Sequence, residues 1–83
     1  MAIYALSSGR GPSGIAIIRI SGKETLKICK NLTSLKHIKS SEVNFCKFCD
    51  PKNGITIDPE ALLLWFPGPE SYTGEDLAEL QIH

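Results

Sequence analysis

Apolar residues along the chain fall in short runs and alternations that predict mainly strands. Residues 15–20 contain four isoleucines, and β-branched residues at this density are typical of a strand. Residues 61–66 are apolar throughout, which predicts a central strand covered on both faces. In residues 77–83, Ala78, Leu80 and Ile82 alternate with polar residues, so the pattern there predicts a strand with one apolar face.

The remaining strands are shorter, and we expect them at residues 3–6, residues 43–49 and, after a turn at residues 50–54, residues 55–57. Asp58-Pro59-Glu60 is expected to end the last of these strands before the apolar run begins. Apolar residues at helical spacing predict a helix over residues 23–32, and Ser21 and Glu24 have the spacing of a capping box at its start. This order indicates an α+β domain with a small mixed sheet and one or two helices.

Length and composition narrow the class of protein. A chain of 83 residues is long enough for one domain with a marginal core, so we treat residues 1–83 as a single domain. The last predicted strand has no terminating signal, which indicates a fragment of a longer protein. No apolar run reaches the length of a membrane span, and the N-terminus lacks the features of a signal peptide. Three cysteines, an odd number, fit a reducing compartment, so we expect a soluble, cytoplasmic protein without membrane contact.

Gly9, Gly11 and Gly14 match the G-x-G-x-x-G pattern of dinucleotide-binding loops. That pattern requires a helix to begin at the loop, so that the helix N-terminus faces the pyrophosphate. A predicted strand follows here instead, and no acidic residue stands about 20 positions further on. The segment is therefore interpreted as a glycine-rich loop between strands.

Cys46 and Cys49 form a C-x-x-C pair, which raises the alternative of a zinc or redox site. Zinc needs two further ligands, and Cys29, His37 and His83 make no second pair. A redox pair is expected at the start of a helix, whereas this one lies in a predicted strand. We therefore predict that the two cysteines are strand residues and bind no metal.

Residues 23–39 are locally basic, because they contain five lysines and one acidic residue, Glu24. The lysines are Lys23, Lys27, Lys30, Lys36 and Lys39. Such a run is usually the solvated face of a helix, and contact with polynucleotide phosphates is the alternative. The net charge of zero argues against a domain that binds nucleic acid through its overall charge.

Arg19 lies in the middle of a predicted strand, where a buried guanidinium needs a partner. It either forms a structural pair with Glu79 or Asp76 or lines a ligand pocket. The polar face of Glu79, Gln81 and His83 presents the same choice between a solvent-facing surface and a binding site.

Two blocks, GRG…GIAIIRISG at residues 9–22 and WFPGPESYTGEDLAELQIH at residues 65–83, resemble the N-terminal domain of the tRNA-modification GTPase family MnmE, also called TrmE. The resemblance covers essentially the whole chain, and the C-x-x-C has no counterpart in the family pattern. It implies a tetrahydrofolate-binding domain, similar in fold to the aminomethyltransferase of the glycine cleavage system. It also implies a homodimer with 5-formyl- or methylene-tetrahydrofolate at its interface, and places folate contacts on Arg19 and Glu79.

The same resemblance implies a longer parent protein that binds GTP, magnesium and potassium outside these residues. With an FAD-dependent partner protein, that parent would help install the carboxymethylaminomethyl group on the wobble uridine of tRNA. No G-x-x-x-x-G-K-[ST] motif and no arranged nucleophile and base occur in the sequence, so we expect a non-catalytic part of an enzyme. The alternatives are a zinc or redox domain and a structural interaction domain without a ligand.

The chemistry of a reduced pterin suggests how the two residues would act. Its 2-amino group and the neighbouring ring N–H form a donor pair, which the carboxylate of Glu79 can accept in bidentate fashion. Arg19 would face it from the opposite wall, toward an oxygen, the ring or the glutamate tail. Trp65 and Tyr72 are expected to pack or to lie at an interface, with a place beside the pterin as the alternative.

Overall fold

The computed structural model describes residues 3–8, as backbone, and residues 14–69 and 74–83 with their side chains. Its elements in chain order are β1 (Ile3–Ser8), β2 (Ala16–Ser21), α1 (Thr25–Thr33), β3 (Val43–Cys49), β4 (Thr56–Phe66) and β5 (Leu77–Ile82). Residues 9–13 of the glycine-rich loop and Tyr72 lie outside the described residues. No helix in the described part of the chain is long and apolar enough to cross a membrane.

The five strands form one sheet in the order β1-β2-β5-β4-β3, and every named pair is antiparallel. The last strand in the chain, β5, is therefore the central one, between β2 and β4. A single parallel bridge joins Ser40 to Trp65 beside the sheet, and the mixed character of the sheet is confined to it. The predicted α+β class is confirmed.

The hydrophobic core lies between α1 and one face of the sheet. Ile20, Leu63 and Leu80, which come from three adjacent strands, are almost completely buried there. Cys29 is the buried apolar residue that α1 contributes, and partly buried leucine and isoleucine residues of the helix surround the cluster. Helical spacing of apolar residues in α1 thus meets period-2 alternation in the strands, as the pattern predicts.

The start of α1 differs from the predicted capping box. Ser21 belongs to β2, and no side chain caps the helix at Glu24. Instead, the buried hydroxyl of Thr25 donates a hydrogen bond of 2.8 Å to the carbonyl oxygen of Gly22. The buried hydroxyl of Thr25 therefore finds its hydrogen-bond acceptor in the turn just before the helix.

The predicted break at residues 58–60 is wrong, because β4 runs through it from Thr56 to Phe66. A shift of register opposite Phe48 accommodates Pro59, which cannot donate a ladder hydrogen bond. Within β4, Leu63 is buried, whereas Leu62 and Leu64 on the other face are only partly buried. The strand is therefore fully covered on one face rather than on both.

Asp58 is buried at this irregularity and joins β4 to the end of β5. Its Oδ2 accepts the backbone N–H of His83 at 2.7 Å, and its Oδ1 accepts that of Glu60 at 2.9 Å. The His83 ring nitrogen Nδ1 also lies 3.2 Å from Oδ2. Chiefly the N–H of His83, and then that of Glu60, hold the pKa of Asp58 below its ordinary value against the opposing effect of burial.

Asp58→Asn should lower the free energy of unfolding by about 1–3 kcal/mol at pH 7, because an amide turned toward the N–H of His83 opposes donor to donor. The folded pKa of Asp58 is depressed, so its stabilisation is complete above the unfolded value of about 4 and is lost as pH falls through the folded value. Urea unfolding at pH 7 and at about pH 3 should show the difference between variant and wild type narrowing in acid. A constant difference would contradict this role, and Glu60→Gln is the exposed control.

Candidate functional site

The face of the sheet opposite α1 carries a polar pair within an apolar surface. We call it the open face and define it by the cross-strand partners that share it: Ile17, Arg19, Val43, Phe45, Leu62, Leu64, Glu79 and Gln81. Phe45 and Val43 at the β3 edge are 79% and 48% exposed. Partly buried aliphatic side chains lie between this edge and the polar pair.

Arg19 and Glu79 are direct partners in the antiparallel ladder between β2 and β5. The Arg19 Nε lies 3.4 Å from the Glu79 Oε1, with the two side chains 62% and 20% exposed. The structure therefore brings the two predicted site residues side by side rather than onto opposite walls. An ion pair this exposed contributes about 0–1 kcal/mol, so the fold has little need of it.

Asp76, the other acidic partner considered for Arg19, has a different role. Its Oδ1 accepts the N–H of Gly68 at 2.9 Å, and its carbonyl oxygen accepts the N–H of Gly22 at 3.0 Å. A side chain on Gly68 would place its Cβ 2.8 Å from the carbonyl oxygen of Gly74, so the chain entering β5 fits closely against the turn after β4. These contacts fix the start of the strand that carries Glu79.

The surroundings of Glu79 fit a flat ring with hydrogen-bond donors along one edge. Leu64 lies directly across from it on β4, and Ile17 and Gln81 form the next cross-strand pair on the same face. The carboxylate supplies acceptors, while the aliphatic side chains supply an apolar surface beside them. Its contact with Arg19 is long, so a ligand's donors can replace that contact.

Trp65 does not belong to this face. It pairs with Ala78 on the helix side of the sheet and is only 7% exposed. The interpretation as a packing residue is therefore confirmed, and a place beside a ring bound on the open face is not available to it.

A cavity of about 360 Å³ lies on the helix side between α1, β2 and the β3–β4 hairpin. Its lining is apolar apart from Asn31 and includes Ile18, Ile28, Leu32 and Phe48. No carboxylate is among its lining residues, whereas the open face carries that of Glu79.

The three cysteines show no bridge, and Cys29 and Cys49 are buried while Cys46 is partly buried. Burial raises the pKa of Cys29 to about 11 and that of Cys46 to about 11, with neighbouring thiols and Asp58 adding smaller effects. Within residues 14–69 and 74–83, no cluster of three or more histidine, cysteine or acidic side chains is arranged to hold a metal ion. Protonated thiols are poor nucleophiles, and Cys46 and Cys49 both lie in β3, as the sequence predicts.

The contact between Asp58 and His83 was missed by the sequence reasoning, which considered His83 only as a metal ligand and as part of a polar face. Both its backbone and its ring contact Asp58. These residues are 25 positions apart, and no local motif links them. The local signal was an aspartate before a proline, next to a long apolar run.

Comparisons of the chain with a family model and with individual proteins point to the same family. The sequence model of the family described as "GTP-binding protein TrmE N-terminus" matches residues 2–83. The chain is 51% identical over 83 residues to the tRNA modification GTPase MnmE of Pelagibacter ubique. The aligned region covers 100% of this chain and 18% of that protein. It is 43% identical over 82 residues to the human mitochondrial "5-taurinomethyluridine-[tRNA] synthase subunit GTPB3", covering 98% of this chain and 16% of that protein. The chain thus spans about a fifth or less of the length of these relatives.

The raised thiol pKa values predict slow alkylation. With a pKa of about 11, roughly one thiol in a thousand is ionised at pH 8, so Cys29 and Cys46 should react with iodoacetamide far more slowly than in the urea-unfolded chain. Their rates should rise about tenfold per pH unit up to pH 10. Mass spectrometry of labelled peptides measures this, and rapid labelling of Cys46 at pH 7 would contradict it.

Proposed function

The chain belongs to the TrmE N-terminal family, and on that premise we propose that it is the folate-binding and dimerisation module of a tRNA-modification GTPase. Its ligand is a tetrahydrofolate derivative, 5-formyl- or methylene-tetrahydrofolate. The observation that carries this proposal is the Arg19–Glu79 pair in the aliphatic surface of the open face. The residues fit the ligand, which supplies a one-carbon unit for the reaction of the complete protein.

Glu79 accepts the donor pair of the pterin ring. Its side chain is only 20% exposed, so hydrogen bonds to the carboxylate form in a partly desolvated setting and are charge-assisted. Leu64 across the ladder and Ile17 one pair further offer apolar contact to the ring. The strand fixes the Glu79 backbone on both sides, by pairing with β2 and with β4, so the acceptor is positioned before the ligand arrives.

Arg19 supplies donors next to the acceptor. Its side chain is 62% exposed, and its Nε contacts only one carboxylate oxygen of Glu79, at 3.4 Å. The other guanidinium N–H groups are available to oxygen atoms of the ligand in the planar geometry that arginine offers. In this role Arg19 both orients Glu79 and binds an oxygen of the folate.

A second copy of the chain covers the open face in the proposed dimer. Phe45 and Val43 expose large apolar surfaces at the edge strand β3, and Leu62 and Leu64 continue that surface inward. A domain of this size has a marginal core, so covering an apolar face is favourable. Two copies related by a twofold axis would enclose the folate at their interface.

The complete protein would carry out the chemistry elsewhere. We propose that GTP, magnesium and potassium bind outside this chain, and that an FAD-dependent partner protein and tRNA join the full complex in the cytoplasm. There the complex installs the carboxymethylaminomethyl group on the wobble uridine, while residues 1–83 bind the folate without catalysing a step. The raised pKa of Cys46 counts against a redox role for the Cys46–Cys49 pair.

Glu79→Ala should reduce affinity for 5-formyltetrahydrofolate by tenfold to a hundredfold, because about 1–3 kcal/mol is lost when the pterin donors are unpaired. Glu79→Gln should also weaken binding, since an amide accepts on one side only. Calorimetric titration measures both, and circular dichroism checks the fold. The exposed Glu42→Gln is the charge-matched control. Wild-type affinity in both Glu79 variants would overturn the assignment, and unfolding of both would identify a structural pair instead.

Phe45→Asp should raise the dissociation constant of self-association at least tenfold, because a charge replaces an exposed aromatic side chain at the proposed interface. Sedimentation velocity over a range of concentrations measures the constant. Ile55→Asp is the control, since Ile55 is 63% exposed at the turn before β4, away from the open face. Equal effects of the two substitutions would count against this interface.

A further inference from the structure

The five lysines of residues 23–39 are exposed, and three of them lie in α1 or just before it. We call Lys23, Lys27, Lys30, Lys36 and Lys39 the lysine face; all five are exposed. With five positive residues and one negative, Glu24, this segment carries a net charge of +4, and because the whole chain carries +0, the remaining residues carry −4. The neutral overall charge therefore conceals a strong separation of charge.

The geometry of α1 orients this surface away from the folate site. Lys27 and Lys30 lie on the side of the helix opposite its buried residues, and Lys23 precedes the helix by two positions. Because α1 packs on the face of the sheet opposite Arg19 and Glu79, the lysines of α1 and the open face look in opposite directions. A partner on one surface leaves the other accessible.

No lysine of the lysine face forms an ion pair with any carboxylate that the structure describes; the carboxylate contacts of basic side chains found among those residues are Arg19 with Glu79 and the ring of His83 with Asp58. From Lys23 to Lys30 the charges extend over about 10 Å at the helical rise per residue. Ammonium groups spaced in this way along an exposed helix attract a polymer of regularly spaced negative charges, and binding releases the counterions condensed on that polymer.

We propose that the lysine face is a contact site for the phosphodiester backbone of RNA. The choice of RNA over an acidic protein segment as the partner rests on the proposed function, because the relatives are named as tRNA-modifying proteins. The contact is with phosphate and is independent of base sequence, since lysine acts there as a point charge. It holds the RNA on the helix side of the domain while the open face holds the folate.

The test is fluorescence anisotropy of a labelled RNA stem–loop titrated with the chain at about 50 mM and about 200 mM salt. Three to five phosphate contacts predict a loss of affinity between the two salt concentrations of about tenfold to several-hundredfold. K27E/K30E is compared with K47E/K52E on the β3–β4 hairpin, whose two lysines are also exposed and whose substitution changes the net charge by the same amount. The lysine-face variant should lose at least about tenfold in affinity at low salt, and the hairpin variant less than about threefold.

Three results would overturn the inference: no binding at low salt, equal losses in the two variants, or displacement of the RNA by polyglutamate as effectively as by unlabelled RNA. The last would identify an acidic protein as the partner. If K27E/K30E unfolds by circular dichroism, K27Q/K30Q against K47Q/K52Q gives the same comparison. Every variant is also titrated with 5-formyltetrahydrofolate. If the two double variants lose RNA affinity equally while the wild-type chain binds folate, this inference alone is wrong. If only the lysine-face variant loses RNA affinity while the wild-type chain binds no folate, the folate proposal alone is wrong.

Discussion

The insertion of β5 between β2 and β4 is the interaction on which the rest of this structure depends. Without it the sheet would separate into a β1–β2 hairpin and a β3–β4 hairpin, and the core would lose Ala78 and Leu80, which are 0% and 1% exposed. Both ends of the strand are held. Asp76 at the start binds the N–H groups of Gly22 and Gly68, and Asp58 binds the N–H of His83 just after its end.

This central position also creates the two different surfaces of the domain. Alternate residues of β5 point toward α1 and complete the core, so the residues between them, including Glu79, must lie on the opposite face. Pairing with β2 then brings Arg19 to Glu79, and pairing with β4 brings Leu64. The proximity of Arg19, Leu64 and Glu79 is thus a consequence of strand register.

Local patterns in the sequence predicted most of the elements, because each strand carries its own period-2 alternation or β-branched run. They could not predict that the last strand pairs at the centre, since register between distant strands is decided by tertiary packing. For the same reason local patterns could not predict that Asp58 holds His83, and the predicted break at residues 58–60 is wrong because a register shift accommodates Pro59. Arg19 and Glu79 were selected by family resemblance; alternation alone placed them on faces but could not distinguish a site from a solvated surface.

The most direct test of this account is where the folate binds. Titration of ¹⁵N-labelled chain with 5-formyltetrahydrofolate, followed by NMR, reports the backbone amides whose environment changes. The account predicts saturable shifts centred on Arg19, Leu64 and Glu79, with the amides of α1 nearly unchanged. Shifts centred instead on Ile28, Leu32 and Phe48, around the cavity on the helix side, would contradict the central claim that the open face is the binding site.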